Sequence, residues 1–351
     1  MLDPIRRAAS PDRAASASRA IGHLTLARSR LPKLIGAAGW LLLAALVVMP
    51  FVSGSRYIVY LGTLLAIWGS LVVSLNLVIG YAGQFSMSHA AFYGLGAYTS
   101  AILIKTAGFT FWASLPVAAL VALVLAVAIG YPALRFTGGI HFALVTFAFG
   151  ELLRLLAANW HELTNGPQGM LLNYSPEPVL GIEFASGRGI YFLSVLLLAA
   201  TLVVVVGVMS SRLGRNLLAI REDEVLAASV GINVTRTKTI VYVISSILAA
   251  LAGTVYAPFL RFISPEMMNA HESVTMVGML IVGGVGTMGG PIAGMLIFLA
   301  LPEILRVAQN FRLVILGAVI VFVVLYMPTG IIGLAQRLLK RRFGRDQAEK
   351  N

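Results

Sequence analysis

The sequence predicts an all-α integral membrane protein, a polytopic bundle of about ten transmembrane segments, some of them broken, with both termini on the cytoplasmic side. Three observations lead there. Of the 351 residues, 58% are hydrophobic and 11% charged, with a mean hydropathy of +0.89, a balance no soluble domain keeps in solution. Several apolar runs reach the ~20 residues needed to cross a hydrocarbon core ~30 Å thick, and short stretches of Gly, Pro or charge separate them. The net charge of +12 is concentrated in three places: residues 1–33 carry seven basic and two acidic residues, 210–238 five and three, and 336–351 six and two. That clustering fits the positive-inside bias of cytoplasmic segments, reinforced by anionic headgroups. Membrane lipid, and no nucleic acid, is the expected partner of the charge.

The composition also removes several chemistries. Cysteine is absent, which excludes disulfides, a thiolate nucleophile and Cys-ligated metals. The five His, at 23, 89, 141, 161 and 271, include no pair at the i, i+4 spacing of a helical metal site, so no metal is expected.

In chain order, residues 1–33 are rich in Ala, Ser and Arg and read as a basic, disordered cytoplasmic arm. A transit peptide has similar composition, but the apolar stretch that follows is too long for a signal segment and lacks a small-residue cleavage pattern. The membrane domain is assigned to 34–335. Span one is placed at about Leu34–Val52 and span two at Tyr57–Ile79. The next stretch, 80–104, alternates Gly80, Gly83, Gly94 and Gly96 with Ser86, Ser88 and several Ala. Small residues permit close helix approach, and a break at Gly frees backbone groups that line a cavity; both readings stand. Span four is placed at Phe111–Gly130, followed by a turn YPALRFTGG. Span five, Ile140–Ala158, carries Glu151 and Arg154 at i, i+3, positioned to pair. Residues 159–189 form a long polar loop dense in turn formers, which the crossing count puts outside in the periplasm. Span six is Ile190–Met209 and span seven Thr239–Pro258.

Beyond residue 272 the chain concentrates Gly278, Gly283, Gly284, Gly286, Gly289, Gly290 and Gly294 around Pro291, where two membrane segments are expected to meet. A last span at Val314–Leu334 leads to the basic tail, 336–351. Ten crossings put both basic termini and loop 210–238 on one side; nine or eleven would split them. Each half thus carries one Gly-interrupted region, 80–96 and 283–294, the pattern that marks a central pathway in transporters. Gln84, Ser86, Ser88, His89, Gly283, Gly284 and Thr287 are the candidates to line it, though each polar one could equally bond backbone or a neighbouring helix.

The chain contains no GxxxxGK followed by Ser or Thr, no GxSxG, no HExxH and no intramembrane pair of acids, so catalysis and ion coupling find no residues. A pore-forming or scaffolding chain remains, with energy borrowed from elsewhere; an ion-driven secondary carrier is the competing reading. The polar interruption 210–238 is the entry point for that work. Gly214 is expected to end an extension of span six, Arg215 to Val230 is free of Gly and Pro and reads as one helix outside the membrane, and Gly231 stops it. Arg215, Leu218, Arg221, Glu222, Asp223, Glu224 and Gly231 are the candidate coupling residues.

NLVIGYAGQFSMSHAAFYGLGAYTSA (76–101), HFALVTFAFGELLRL (141–155), LTNGPQG (163–169), GRNLLAIREDEVLAASVGINVTRTK (214–238), LAALAGTVYA (248–257) and IVGGVGTMGGPIAGM (281–295) resemble, in this order, the LivM-type permeases of branched-chain amino-acid ABC importers. The likeness spans roughly 40–335. It implies a subunit of the bacterial inner membrane that pairs with a LivH-type permease, two cytoplasmic ABC ATPases and a periplasmic solute-binding protein. ATP would be bound and hydrolysed on the ATPases, with no cofactor on this chain, and 214–231 would carry the coupling helix. The outer loop reads LTNGPQG where the family often has two adjacent Gly. Leucine, isoleucine and valine are the default solutes of such systems; relatives carry other amino acids, urea, amides or small carboxylates.

Overall fold

A computed structural model describes residues 46, 55–137, 139–178, 184, 186–304, 317 and 330–333. The arm at 1–33, the tail at 336–351, span one except Leu46, and all but a few residues of the last span lie outside the described residues.

Helix α1 (Arg56–Asn76) runs into a wider π-type turn, Leu77–Tyr81. The chain then leaves helical geometry until α2 (His89–Ala107) begins. Helix α3 (Phe111–Phe136) and α4 (Ile140–Asn159) form an antiparallel pair joined by a tight turn at Gly139. A short α5 (His161–Thr164) and a two-residue strand β1 (Met170–Leu171) follow. Helix α6 (Gly187–Ser210) leads to two short helices, α7 (Arg212–Glu222) and α8 (Glu224–Ser229). Helix α9 (Val234–Leu260) recrosses the bundle to β2 (Phe262–Ile263), which pairs antiparallel with β1 through Met170–Ile263 and Leu171–Phe262. Helices α10 (Ala270–Gly283) and α11 (Gly290–Ile304) complete the described chain. Among the described residues five helices are long and apolar enough to cross a membrane: α1 with its π turn, α3, α4, α6 and α9.

The helices start where the sequence offers caps. Thr110 accepts from the Ala113 amide at 3.2 Å, Ser186 from Gly189 at 3.1 Å and Asn233 from Arg236 at 2.9 Å, each satisfying a donor the first turn leaves free. The loop between α4 and α6 reinforces one start: Glu177 takes the Phe111 amide at 2.9 Å, and its carbonyl takes the Trp112 indole N–H at 3.0 Å. An acid is favourable at that helix end.

Two boundaries differ from the sequence reading. The expected turn YPALRFTGG is mostly helix: α3 continues through Pro132 to Phe136. Gly130 leaves room there for the Tyr242 ring of α9, which would collide with any side chain at that position, and the packed α3–α9 interface holds the helix past the proline. The second concerns the polar interruption and is described with the site.

The core is built on close approach. A methyl group added at Gly96 would strike the Ala250 carbonyl, and one at Gly253 the Tyr93 carbonyl, so α2 and α9 cross at backbone contact. Gly283 and Gly294 do the same between α10 and α11. With no hydrophobic drive between helices in lipid, such tight contact supplies the association energy through dispersion. Around these seams Ile67, Leu71, Leu75, Phe92, Phe142, Tyr191 and Leu198 are fully buried. Glu151 and Arg154 pair at 2.5 Å on α4, and Arg154 also reaches Glu266 at 3.6 Å.

Candidate functional site

The site lies at the end of the bundle that carries α7 and α8, and it begins with a broken helix. Past Asn76 the α1 backbone widens: the Ala82 amide bonds Leu77 O at 3.1 Å and the Gln84 amide bonds Val78 O at 3.0 Å. Gly83, at φ +67, turns the chain away. The backbone groups freed by the break find side chains on other helices. Thr146 accepts from the Met87 amide at 3.0 Å; Ser273 donates to Met87 O at 2.7 Å and accepts from the Ala90 amide at 3.2 Å. A break inside a membrane domain is stable only with such replacement partners.

The second break is the Gly284–Gly289 bend between α10 and α11. Gly284 and Gly286 both have positive φ, +125 and +74, where a Cβ would strain the backbone. Thr287 closes the bend, donating to Gly284 O at 2.9 Å and accepting from the Gly290 amide at 3.0 Å.

The two breaks meet. Asn76, 1% exposed, donates from Nδ2 to Thr287 O at 2.9 Å, and its Oδ1 accepts from the Gly286 amide at 2.9 Å. Gly80 lies so close that a side chain there would strike Asn76 and the Gly286 amide. Arg221 of α7 covers the junction: its guanidinium touches Gly286 and its aliphatic stem lies beside Gly83. One side chain therefore contacts both Gly-rich interruptions.

The segment carrying Arg221 differs from the single helix expected over Arg215–Val230. It is two helices, starting earlier, at Arg212, and broken at Asp223, whose backbone is extended and whose Oδ1 accepts from the Leu226 amide at 2.9 Å. Asp is a strong N-cap, and this local bond competes with continuous helix; within the run Arg221–Glu224 the cap reads simply as one more charge. Gly214 does not end an extension of α6 either. It lies inside α7, where a side chain would collide with the Met209 backbone, so it lets α7 fold back against α6. Gly231, at φ +89, closes α8: its amide bonds Ala228 O at 3.0 Å and the Ile232 amide bonds Ala227 O at 3.1 Å, the paired bonds of a Schellman cap.

Of the other coupling candidates, Glu224 pairs with Lys238 at 2.6 Å, tying α8 to the first turns of α9. The Lys238 side chain is 5% exposed and that of Glu224 57%. Arg215 and Glu222 are exposed, and Arg215 reaches only Ser211 O, at 3.3 Å. Leu217 and Ile220 anchor α7 in the bundle, while Leu218, Val225, Leu226 and Val230 stand in solvent. These exposed apolar side chains sit on α7, α8 and its cap, interleaved with charged residues.

The pathway candidates divide differently. Gln84, Ser86, Ser88 and His89 are all buried, and Ser88 and His89 bond neighbouring helices. Ser88 bonds Tyr242 at 2.8 Å and Ser86 at 3.2 Å; His89 Nε2 lies 2.9 Å from Ser74 Oγ and 3.0 Å from Leu71 O. Gln84 keeps its Oε1 without a partner. Gly283 provides the α10–α11 contact, and Gly284 and Thr287 shape the bend. These two groups of candidates are joined through Asn76, which the sequence reading passed over. Its signal was a lone Asn in an apolar run, as that of Lys238 was a lone cation at the head of span seven.

Interrupted membrane helices tied together beneath a surface-lying helix define the class: a polytopic helical permease. The chain belongs to the family described as "Branched-chain amino acid transport system / permease component", whose model matches residues 57–324, and is a permease of an ATP-binding-cassette importer. It is similar to the high-affinity branched-chain amino acid transport system permease protein LivM of Salmonella typhimurium, with 31% identity over 95% of this chain and 84% of the relative. LivM of Escherichia coli is 32% identical over 88% of this chain and 77% of the relative. The high-affinity branched-chain amino acid transport system permease protein LivH of Escherichia coli is 26% identical over 77% of this chain and 92% of the relative. No solved structure matches the chain.

Proposed function

We propose that this chain is one membrane subunit of an importer for branched-chain amino acids, leucine, isoleucine and valine, in the bacterial inner membrane. It pairs with a LivH-type permease, takes its work from two cytoplasmic ATPases that bind the ATP, and receives solute from a periplasmic binding protein. The observation that carries the reading is the contact of Arg221 with both Gly83 and Gly286. It makes α7 a lever on both interruptions at once.

On this reading the α7–α8 end is cytoplasmic and the β1–β2 end periplasmic, as about ten crossings with both basic termini inside require. The ATPases seat on Leu218, Val225, Leu226 and Val230, with Arg215 and Glu222 setting register. Their closure displaces α7. Arg221 then shifts the junction held by Asn76, while the Glu224–Lys238 pair passes movement into α9, which packs along α2 and α3 across the bundle. Packed interfaces of this kind respond by switching between discrete arrangements.

Affinity purification of the chain in mild detergent is expected to recover two ATPases and a second permease, and vesicles holding that complex with the binding protein are expected to take up radiolabelled leucine at the expense of ATP. A solute screen on the binding protein distinguishes branched-chain amino acids from urea, amides and carboxylates. Uptake by the purified chain alone, driven by a proton or sodium gradient, would overturn the importer. Reversal of Glu222, Asp223 and Glu224 to Lys is expected to uncouple hydrolysis from uptake; unchanged uptake and ATPase docking would overturn the role of α7 and α8.

A further inference from the structure

Away from the junction, four aromatic rings form a ladder that descends from the β1–β2 end of the bundle. Tyr60 on α1, 43% exposed, stacks on Phe259 of α9 at 5.2 Å between centroids. Phe259 lies 6.1 Å from Tyr256, and Tyr256 lies 5.2 Å from Tyr93 of α2. Tyr93 is 3% exposed. Its backbone packs on Gly253, roughly 10 Å inside the end of α9 at ~1.5 Å per residue. The ladder thus leads from the surface into the bundle.

At its inner end sits an acid. Glu272, in the first turn of α10, is partly buried; the next residue, Ser273, accepts from the Ala90 amide of α2 at 3.2 Å, one turn before Tyr93, and Glu272 interacts electrostatically with Tyr93 and Tyr256. It joins none of the salt bridges seen among the described residues, such as Glu151–Arg154, Arg154–Glu266 and Glu224–Lys238. Its basic neighbour is the adjacent His271, which is exposed. The Tyr93 hydroxyl is also short of a partner. The Tyr256 hydroxyl lies beside it, yet among the described residues no hydrogen bond of sound geometry closes on this buried oxygen. A partly buried carboxylate without a counter-charge, next to a buried hydroxyl without a bond, is a place where a cationic donor belongs.

We propose that Glu272, Tyr93 and Tyr256 form a transit station for the α-ammonium group of the amino acid, approached along the Tyr60 and Phe259 rings. The inference rests on the importer reading above and adds the solute's chemistry to it. An ammonium has three N–H donors, and one carboxylate with two phenolic oxygens supplies three acceptors. Aromatic faces attract the cation on the way in. The station reads what all amino acids share. A solute that is only a carboxylate is repelled by Glu272, and urea lacks the charge to balance it.

The competing structural role is helix capping: the Glu272 amide bonds Asn269 O at 3.0 Å, and an acid at this position of a capping box supports the helix start. Gln serves that box as well as Glu, so Glu272→Gln separates the two. Leucine uptake would be measured in vesicles containing the whole complex and its binding protein, with assembly checked by co-purification. For Glu272→Gln the initial rate is expected to fall roughly tenfold to a hundredfold, the worth of a charge-assisted hydrogen bond, with part of it regained in Glu272→Asp. Tyr93→Phe, which removes only the hydroxyl, is expected to raise the leucine concentration at half-maximal uptake several-fold. Wild-type rates in Glu272→Gln would overturn the station and leave the importer standing. If that variant fails to assemble, unchanged uptake in Tyr93→Phe is the overturning result. Absence of leucine uptake by the wild-type complex would instead remove the importer reading itself.

Discussion

Asn76 is the point at which the coupling argument is most exposed to test. Replacing it by Leu, which keeps the branching at Cγ, deletes the bonds to Thr287 O and the Gly286 amide. An abandoned buried polar group costs about 1–3 kcal/mol, whereas side-chain hydrogen bonds inside membrane bundles average only ~0.6 kcal/mol, because the loosened state finds other partners. Both bonds are part-buried, so the lower range governs: about 1–3 kcal/mol for the two together. Spent on the junction, that shifts an equilibrium between two arrangements by roughly fivefold to more than a hundredfold. The assay is leucine transported per ATP hydrolysed by the reconstituted complex. The ratio is expected to fall in Asn76→Leu, with hydrolysis retained, because the ATPases then drive one interruption without the other. Asn76→Asp keeps an acceptor for Gly286 but not the donor to Thr287, and is expected to fall between. An unchanged ratio in Asn76→Leu would refute the joined-interruption mechanism.

Two glycines give sharper, more local outcomes. Gly231→Val forces a β-branched residue to φ +89 in open space, at a cost of about 1–2 kcal/mol; because nothing surrounds the site, folding yield is expected to hold while ATPase retention on co-purification weakens. Gly253→Leu places a side chain where the Tyr93 carbonyl stands, and overpacking of that kind costs about 1–3 kcal/mol or more; the folded fraction after size-exclusion chromatography in detergent is expected to drop, and a wild-type profile would mean that α2 and α9 do not cross at backbone contact.

Much of the fold was legible because lipid imposes simple rules on sequence. Apolar run length located spans two and four through seven within a few residues at most boundaries, whereas the N-caps Thr110, Ser186 and Asn233 emerged only from the structure. The Gly-rich character of 80–96 and 283–294 was visible too, since a broken membrane helix needs residues that tolerate unusual φ. The Glu151–Arg154 pair followed from i, i+3 spacing. Local rules failed where local and tertiary forces disagreed. Pro132 signalled a turn, yet packing against Tyr242 carries the helix past it. Asp223 read as charge and acts as a cap.

The sequence alone determined that this is a polytopic membrane protein with two Gly-interrupted segments and one polar surface segment, because hydropathy and backbone freedom are properties of neighbouring residues. Only the tertiary structure decided that the interruptions touch. Asn76 and Thr287, Arg221 and Gly286, and Tyr93 and Glu272 lie far apart in the chain, and no periodicity relates them. Their meeting depends on where α1, α2, α7, α9 and α10 cross, which is set by side-chain volumes summed over whole interfaces.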